Sequence, residues 1–252
     1  MKFSIVTCTW NSAATLADTI RSVQTQRKHE VEQIFVDGGS TDGTLELIAR
    51  QSPGSRVLLG VVGGISCAMN EGIRAATGDV IAHLHSDDFY ADNEVLARVG
   101  LALNQSGAHW AYGDMDTLRD GVRQRALRRR RTYTPARYAS GEVAILHPTV
   151  FVRREVFQAV GLFDESLRYA MDIDMWLRIG PRFAPVEIDA TLAVFRAHAG
   201  SLSTANAVAA RQEELQVRRR YLARWPLATL VFALRRQRMA ARERRAVNGA
   251  SV

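Results

Sequence analysis

Cysteine is scarce in this chain, and its two cysteines, Cys8 and Cys67, stand in no CxxC or Cys/His spacing. That excludes a disulfide framework, argues against a zinc site and suits a reducing cytoplasm. No apolar run approaches the length needed to cross a bilayer. The opening MKFSIVTCTWN has one Lys and then only a few apolar residues, too few for a signal peptide. No GxGxxG follows the first apolar run, which disfavours a nicotinamide dehydrogenase, and there is no internal repeat. What is present is 252 residues with 47% hydrophobic content. That is enough for one substantial core, so a single globular domain with appended segments is expected.

The net charge of +7 is unevenly placed. From Arg211 to the end there are 11 Arg against three Glu, and Arg119 to Arg137 holds eight Arg and one Asp, so the remainder is acidic by about eight charges. An acidic body with two basic patches suits a metal-binding site served by arms that attract phosphate or an anionic membrane.

Residues 3–9 (FSIVTCT) and 31–37 (VEQIFVD) are short β-branched and apolar runs, each followed by turn residues and a helical pattern. The first helix takes Asn11 or Ser12 as cap and carries Leu16, Ile20 and Val23; the second starts near Ser40 to Asp42. Strands at 56–60 and 80–84 continue the alternation. Asp92 caps a helix through Val95, Val99 and Leu103, and a strand follows at 109–113. This alternation predicts an α/β fold with a mostly parallel central sheet flanked by helices. Further on, a hairpin turning at Arg119-Asp120-Gly121 runs into the Arg128 to Arg131 cluster. Strands are expected at 149–153 and 188–195, and a helix from Met171 to Gly180. From Ala205 the chain is helical and Arg-rich.

Ligands of open parallel sheets bind beyond the carboxyl ends of the strands, so acidic residues there are informative. One such place is Asp37-Gly38-Gly39-Ser40-Thr41-Asp42-Gly43. Its glycines allow a sharp turn and close ligand approach, and Asp37 can accept hydrogen bonds from a base or ribose; equally, the glycines make the turn while Asp42 caps a helix. The other is Ser86-Asp87-Asp88. Adjacent carboxylates are costly to hold together unless a cation lies between them, and hard oxygen ligands favour Mg²⁺ or Mn²⁺; a helix cap is the competing explanation.

The ordered series SIVTCTWN, IFVDGGSTDGT, GGISCAMNEGIRAATGDVIAHLHSDDFY, LHPTVFVRREVFQAVGLFDE, YAMDIDMWLRIG and FRAHAGSLS resembles glycosyltransferase family 2, notably the bacterial members that build surface polysaccharides and glycolipids. The resemblance covers roughly residues 1–203, taken as a GT-A domain, with 204–252 as an Arg-rich helical extension. It implies a GT-A fold and transfer of a sugar, with inversion, from a nucleotide-sugar donor to a glycan or lipid-linked acceptor. By position it places Thr7, Thr9, Asn11, Asp37, Gly39 and Asp87 at the nucleotide, Asp88 and the late His198 at the metal, and Asp172 as catalytic base. His147 and Arg168 are candidates for the acceptor or diphosphate.

Helical spacing favours Asp172 over Asp174. Ile173, Trp176, Leu177 and Gly180 form the expected buried stripe, which Asp172 borders, whereas Asp174 lies four before Arg178 in ion-pair spacing. His83 and His85 are read as packing residues. The chain departs from the family pattern at Val62, Gly63 and Cys67, where related chains often carry an acidic, a basic and an Asp residue. Those departures are the support for a competing reading, a silent protein that binds a nucleotide-sugar. The apolar WPLATLVFAL stretch between Arg clusters suits peripheral contact with an anionic membrane at the inner face of the plasma membrane; packing on the body, or on a second copy in a homodimer, is the alternative. Nucleic acid is disfavoured as a partner, since the Arg128 to Arg131 run has only Tyr133 near it.

Overall fold

The computed structural model describes residues 1–125, 132–197 and 206–249, the last eleven of these by backbone only. Its first half is a regular alternation: β1 (Lys2–Thr9), α1 (Leu16–Gln24), β2 (Glu30–Asp37), α2 (Thr44–Gln51), β3 (Arg56–Leu58), α3 (Ile65–Ala75) and β4 (Val80–His83). Next come β5 (Phe89–Tyr90), α4 (Val95–Ser106), β6 (Trp110–Arg119), β7 (Val122–Gln124) and the short α5 (Pro135–Ala139). The chain continues through a 3₁₀ turn at His147–Thr149, β8 (Phe151–Arg153), α6 (Arg154–Val160), α7 (Met171–Ile179), β9 (Val186–Arg196), α8 (Ala207–Leu222) and α9 (Pro226–Gly249).

The strands lie in the order β3-β2-β1-β4-β8-β6-β9-β5, with β7 paired to β6. From β3 to β4 the sheet is parallel; β8 and β5 pair antiparallel with their neighbours, while β6 and β9 run parallel, so the outer half is mixed. The inner strands read as continuous apolar runs because both their faces are covered. Ile5 and Phe3 face a cluster with Val95, Val99 and Leu103 of α4, while Val6 and Cys8 face Met69 and Ile73 of α3. At Gly72 the backbone of α3 comes so close to β1 that a Cβ would collide with Val6. The β6–β7 hairpin turns at Asp120 (φ 50°) and Gly121 (φ 77°), two left-handed residues that match the twist of the paired strands.

Several local expectations are corrected. Asn11 and Ser12 do not cap α1, which begins at Leu16 after Thr15; Asn11, at φ 48°, bonds to the neighbouring loop instead. Asp92 accepts the Glu94 amide and pairs with Arg98, one turn ahead of the helix it was expected to cap. The stretch expected as a C-terminal extension contributes to the core. Val217, Arg218 and Leu222 of α8 are buried, and Val217 and Leu222 join the same core cluster as Trp110 and Trp176.

Candidate active site

The carboxyl ends of β1, β2 and β4 meet at one edge of the sheet, and their loops are laced together. Ser40 Oγ accepts from the Asn11 amide (2.8 Å), Asn11 Oδ1 from the Thr41 amide (2.9 Å), and Asp42 Oδ2 from the Ala13 amide (3.0 Å). The Ser12 and Ser86 hydroxyls meet at 2.8 Å, tying the β1 loop to the acidic loop after β4.

Asp37 closes β2 fully buried, with every lone pair in use. Oδ1 accepts the amides of Gly39 (2.9 Å) and Ser40 (2.8 Å), and Oδ2 accepts the hydroxyls of Ser40 (2.6 Å) and Thr9 (2.8 Å). Burial raises its pKa, but these donors outweigh burial and hold the carboxyl below the ordinary range. Gly39 adopts φ 97°, which lets its amide turn back to that carboxylate. Asp37 is therefore the organiser of the loop, and a base could bond to it only by displacing one of these donors. Thr7, expected at the nucleotide, is fully buried, and its hydroxyl accepts from Gln33 Nε2 (3.2 Å).

Sequence reasoning missed Trp10. It stands 70% exposed at the end of β1, beside Gly38, an apolar platform where β1 and β2 open.

Asp87 is half-buried, whereas Asp88 is only 2% exposed. Asp88 Oδ1 accepts the Arg196 amide (3.1 Å), and the Asp88 carbonyl accepts the Thr19 hydroxyl (2.7 Å). Burial, and then the neighbouring Asp87, pushes the Asp88 carboxyl well above its usual range. Arg196 was missed too, although it lies inside the quoted FRAHAGSLS segment. Its guanidinium donates to the Asp87 carbonyl (3.2 Å) and pairs with Asp18 (2.7 Å), so it joins β9, α1 and the acidic loop. His198 lies outside the described residues, as does the Arg128 to Arg131 run. Among the described residues, no three His, Cys, Asp or Glu side chains gather as a metal cluster. The carboxylates of Asp87 and Asp88 are hard oxygen donors. Burial beside Asp87 makes an ionised Asp88 costly, a cost that a divalent cation would relieve, so the pair fits one.

A layer of rings connects this acidic loop to α7. His85 stacks on His147 (ring centroids 5.2 Å apart, 6° between planes), and His147 lies 6.0 Å from Trp176, which stacks on Trp110. Burial holds His83, His85 and His147 below the ordinary histidine range, His83 down to about 3. The packing role expected of His83 and His85 agrees with this. Yet His85 Nδ1, both ring nitrogens of His147, Trp176 Nε1 and the hydroxyls of Tyr133 and Tyr138 are buried without a hydrogen-bond partner among the described residues. Each such group costs about 1–3 kcal/mol, so a band of them calls for an explanation.

One turn before Trp176, Asp172 lies in the first turn of α7 and accepts the Ile173 amide (2.7 Å). Desolvation is the largest influence on its carboxyl and pushes it up to about 6. Asp174 is the deeper of the two acids and is fully engaged, by Arg178 (2.8 Å) and the Tyr221 hydroxyl (2.6 Å). The ion pair is the one its spacing predicted, but the buried stripe is corrected: Asp174 belongs to it with Met175 and Ile179, while Ile173 is half-buried. The exposed side chain of Arg168 lies over Tyr169 (5.8 Å), and its amide donates to Glu213 (3.0 Å). Two open depressions of about 560 and 520 Å³ lie elsewhere, and none of these acids lines either.

Residues 4–161 match the family model for glycosyl transferase family 2. The chain belongs to that family. Among relatives of this glycosyltransferase, an uncharacterized glycosyltransferase of Mycobacterium tuberculosis is 29% identical over 197 residues, 76% of this chain and 74% of the relative. A PGL/p-HBAD biosynthesis glycosyltransferase of Mycobacterium bovis is 30% identical over 188 residues, 70% of this chain and 68% of the relative. Solved structures share the GT-A fold. Staphylococcus aureus TarS 1–349 in complex with UDP-GlcNAc superposes with a TM-score of 0.71 at 19% identity, over 86% of this chain and 64% of that one. A mannosyltransferase from Pyrobaculum calidifontis in complex with GDP-Man and Mn²⁺ gives 0.61 at 16% identity, over 99% and 79%. At those identities the likeness concerns the fold alone. The family match ends before α7, so the helix with Asp172 and everything after it rest on the geometry of this chain.

Proposed function

We propose that this glycosyltransferase moves a sugar, with inversion, from a nucleoside diphosphate to an acceptor hydroxyl, using Asp172 as base and Asp88 as the holder of Mg²⁺ or Mn²⁺. The observation that carries the reading is the pairing of two unlike acidic sites across the ring layer. On one side is an adjacent acidic pair at the end of β4, with Asp88 buried; on the other is a single carboxyl with its pKa raised to about 6. Groups whose environments push them apart in this way suit separate tasks.

In this reading Trp10 offers a stacking face to the base, while the Asp37 turn shapes the loop beside the ribose. The transferred sugar lies along the ring layer, where its hydroxyls would satisfy His147, His85 and Trp176. Asp172 accepts the proton of the acceptor hydroxyl as that oxygen bonds to the anomeric carbon and the bond to the diphosphate breaks on the opposite face. Inversion needs only this one base. A divalent cation, when bound, would neutralise charge developing on the departing diphosphate. The role of the M. bovis relative in PGL/p-HBAD biosynthesis supports a lipid-linked acceptor.

The test is Asp172→Asn. Thermal stabilisation by UDP or GDP with Mn²⁺ should persist, while release of nucleoside diphosphate from UDP-GlcNAc, UDP-glucose or GDP-mannose in the presence of acceptor should fall about 10²–10⁴-fold. Retained transfer would sink the assignment of the base.

A further inference from the structure

The strongest unassigned feature is the way α8, beyond the span of the family match, grips the helix that carries Asp172. Glu213 of α8 sits at the N-terminus of α7, where its carboxylate accepts the amides of Arg168 (3.0 Å), Tyr169 (2.5 Å) and Ala170 (2.7 Å). They are the amides of the N-cap, Ala170, and of the two residues that lead into it, and a carboxylate there also meets the positive end of the helix dipole. Two turns further along α8, Tyr221 donates to Asp174 (2.6 Å), the acid that Arg178 pins from within α7. Between these two clamps lies Arg218. Although only 6% exposed, it donates to the carbonyls of Tyr138 and Ala139, pairs with Glu214 (2.7 Å) and lies over the Tyr138 ring (5.2 Å).

We propose that α8 is a positioning element of the active site: Glu213 orients the first turn of α7, and the buried guanidinium of Arg218 is the counter-charge to the Asp172 carboxylate. This rests on the reading of Asp172 as base. A guanidinium stays protonated in any setting, and burying it is costly, so its burial on a helix that packs against both α5 and α7 has an electrostatic consequence for Asp172. The charged and titratable groups that act on Asp172 are Arg218 and Glu214, both on α8; Tyr138 of α5 lies within electrostatic reach, and the Ile173 amide donates to it from α7 itself. Arg218 favours the ionised carboxylate and Glu214 opposes it. The two residues therefore make opposite predictions.

The experiment follows the Asp172 carboxyl by NMR of protein labelled with ¹³C-aspartate, the signal being identified by its loss in Asp172→Asn. Arg218→Met should move the titration midpoint to higher pH and Glu214→Gln to lower pH. In Glu213→Gln, amide exchange at Arg168, Tyr169 and Ala170 should quicken. Where turnover of UDP-GlcNAc, UDP-glucose or GDP-mannose is measurable, Arg218→Met should lower kcat several-fold at pH 6 and much less at pH 8.5. The donor KM and stabilisation by UDP or GDP with Mn²⁺ should stay unchanged. Helix packing alone would shift both midpoints the same way or neither, and either result overturns the proposal. Should Arg218→Met fail to fold, Glu214→Gln still decides it, since an unmoved or raised midpoint overturns it. Transfer retained in Asp172→Asn would instead remove the parent reading while leaving the electrostatic result standing.

Discussion

Four carboxylates of similar sequence prominence end in four different states here, and their surroundings account for the differences. Asp37 is held ionised by four donors, Asp174 is locked between Arg178 and Tyr221, Asp88 is buried beside a like charge, and Asp172 has one amide donor and a distant cation. Of the four, Asp172 combines a raised proton affinity with a place one turn before Trp176 on the same helix. A base must be deprotonated to act, and a carboxyl titrating near 6 loses that capacity as pH falls. The acid limb of the kcat profile, measured at saturating donor and Mn²⁺, should therefore have its midpoint near 6. A flat profile down to pH 5 would contradict this. At the other end of the site, Trp10→Ala removes the stacking face. It should weaken binding of UDP or GDP by about 1–3 kcal/mol, read by calorimetry; unchanged affinity would place the base elsewhere.

Among the elements, the order of strands and helices in the first hundred residues was readable because β1, β4 and the end of β2 are buried on both faces and each helix on one, which produces distinct apolar periods. Helix starts were less readable. Asn11 and Ser12 are good caps by type, yet here they bond across loops, and a competition between local and tertiary partners is not visible in one segment. The approach of α3 to β1 also belongs to this scale. Gly72→Ala would put a methyl into Val6 and should cost about 1–3 kcal/mol, seen as a lower denaturation midpoint. Unchanged stability would mean that the two elements can separate without penalty.

At the scale of the whole molecule, α9 leaves Leu227 (80% exposed), Leu230 (58%) and Leu234 (45%) on one side, while Ala228 and Phe232 pack inward. These three lie within about a sixth of a turn on a 3.6-residue helix. Arg235, Arg236 and Arg238 follow. No helix among the described residues is long and apolar enough to cross a membrane. We propose that this exposed apolar stripe, with the arginines that follow it, rests on an anionic bilayer surface. Replacing all three leucines with Ser should abolish co-sedimentation with vesicles containing anionic lipid and leave stabilisation by UDP or GDP with Mn²⁺ intact. Equal sedimentation would favour a protein partner for this face.

The sequence by itself indicated the alternating α/β fold and the strand ends whose acids are worth examining, because turn residues and apolar periods are local properties. It also identified the Asp174–Arg178 pair, since four residues of helix are local too. Only the tertiary structure decided which acids remain available. It filled the lone pairs of Asp37, buried Thr7 against Gln33 and set Trp10 beside Gly38. It also brought Arg196 from β9 to the acidic loop and placed Glu213 and Arg218, some forty residues downstream, against the helix of Asp172. Hydrogen-bond saturation and desolvation depend on neighbours distant in the chain, and no spacing within one segment encodes them.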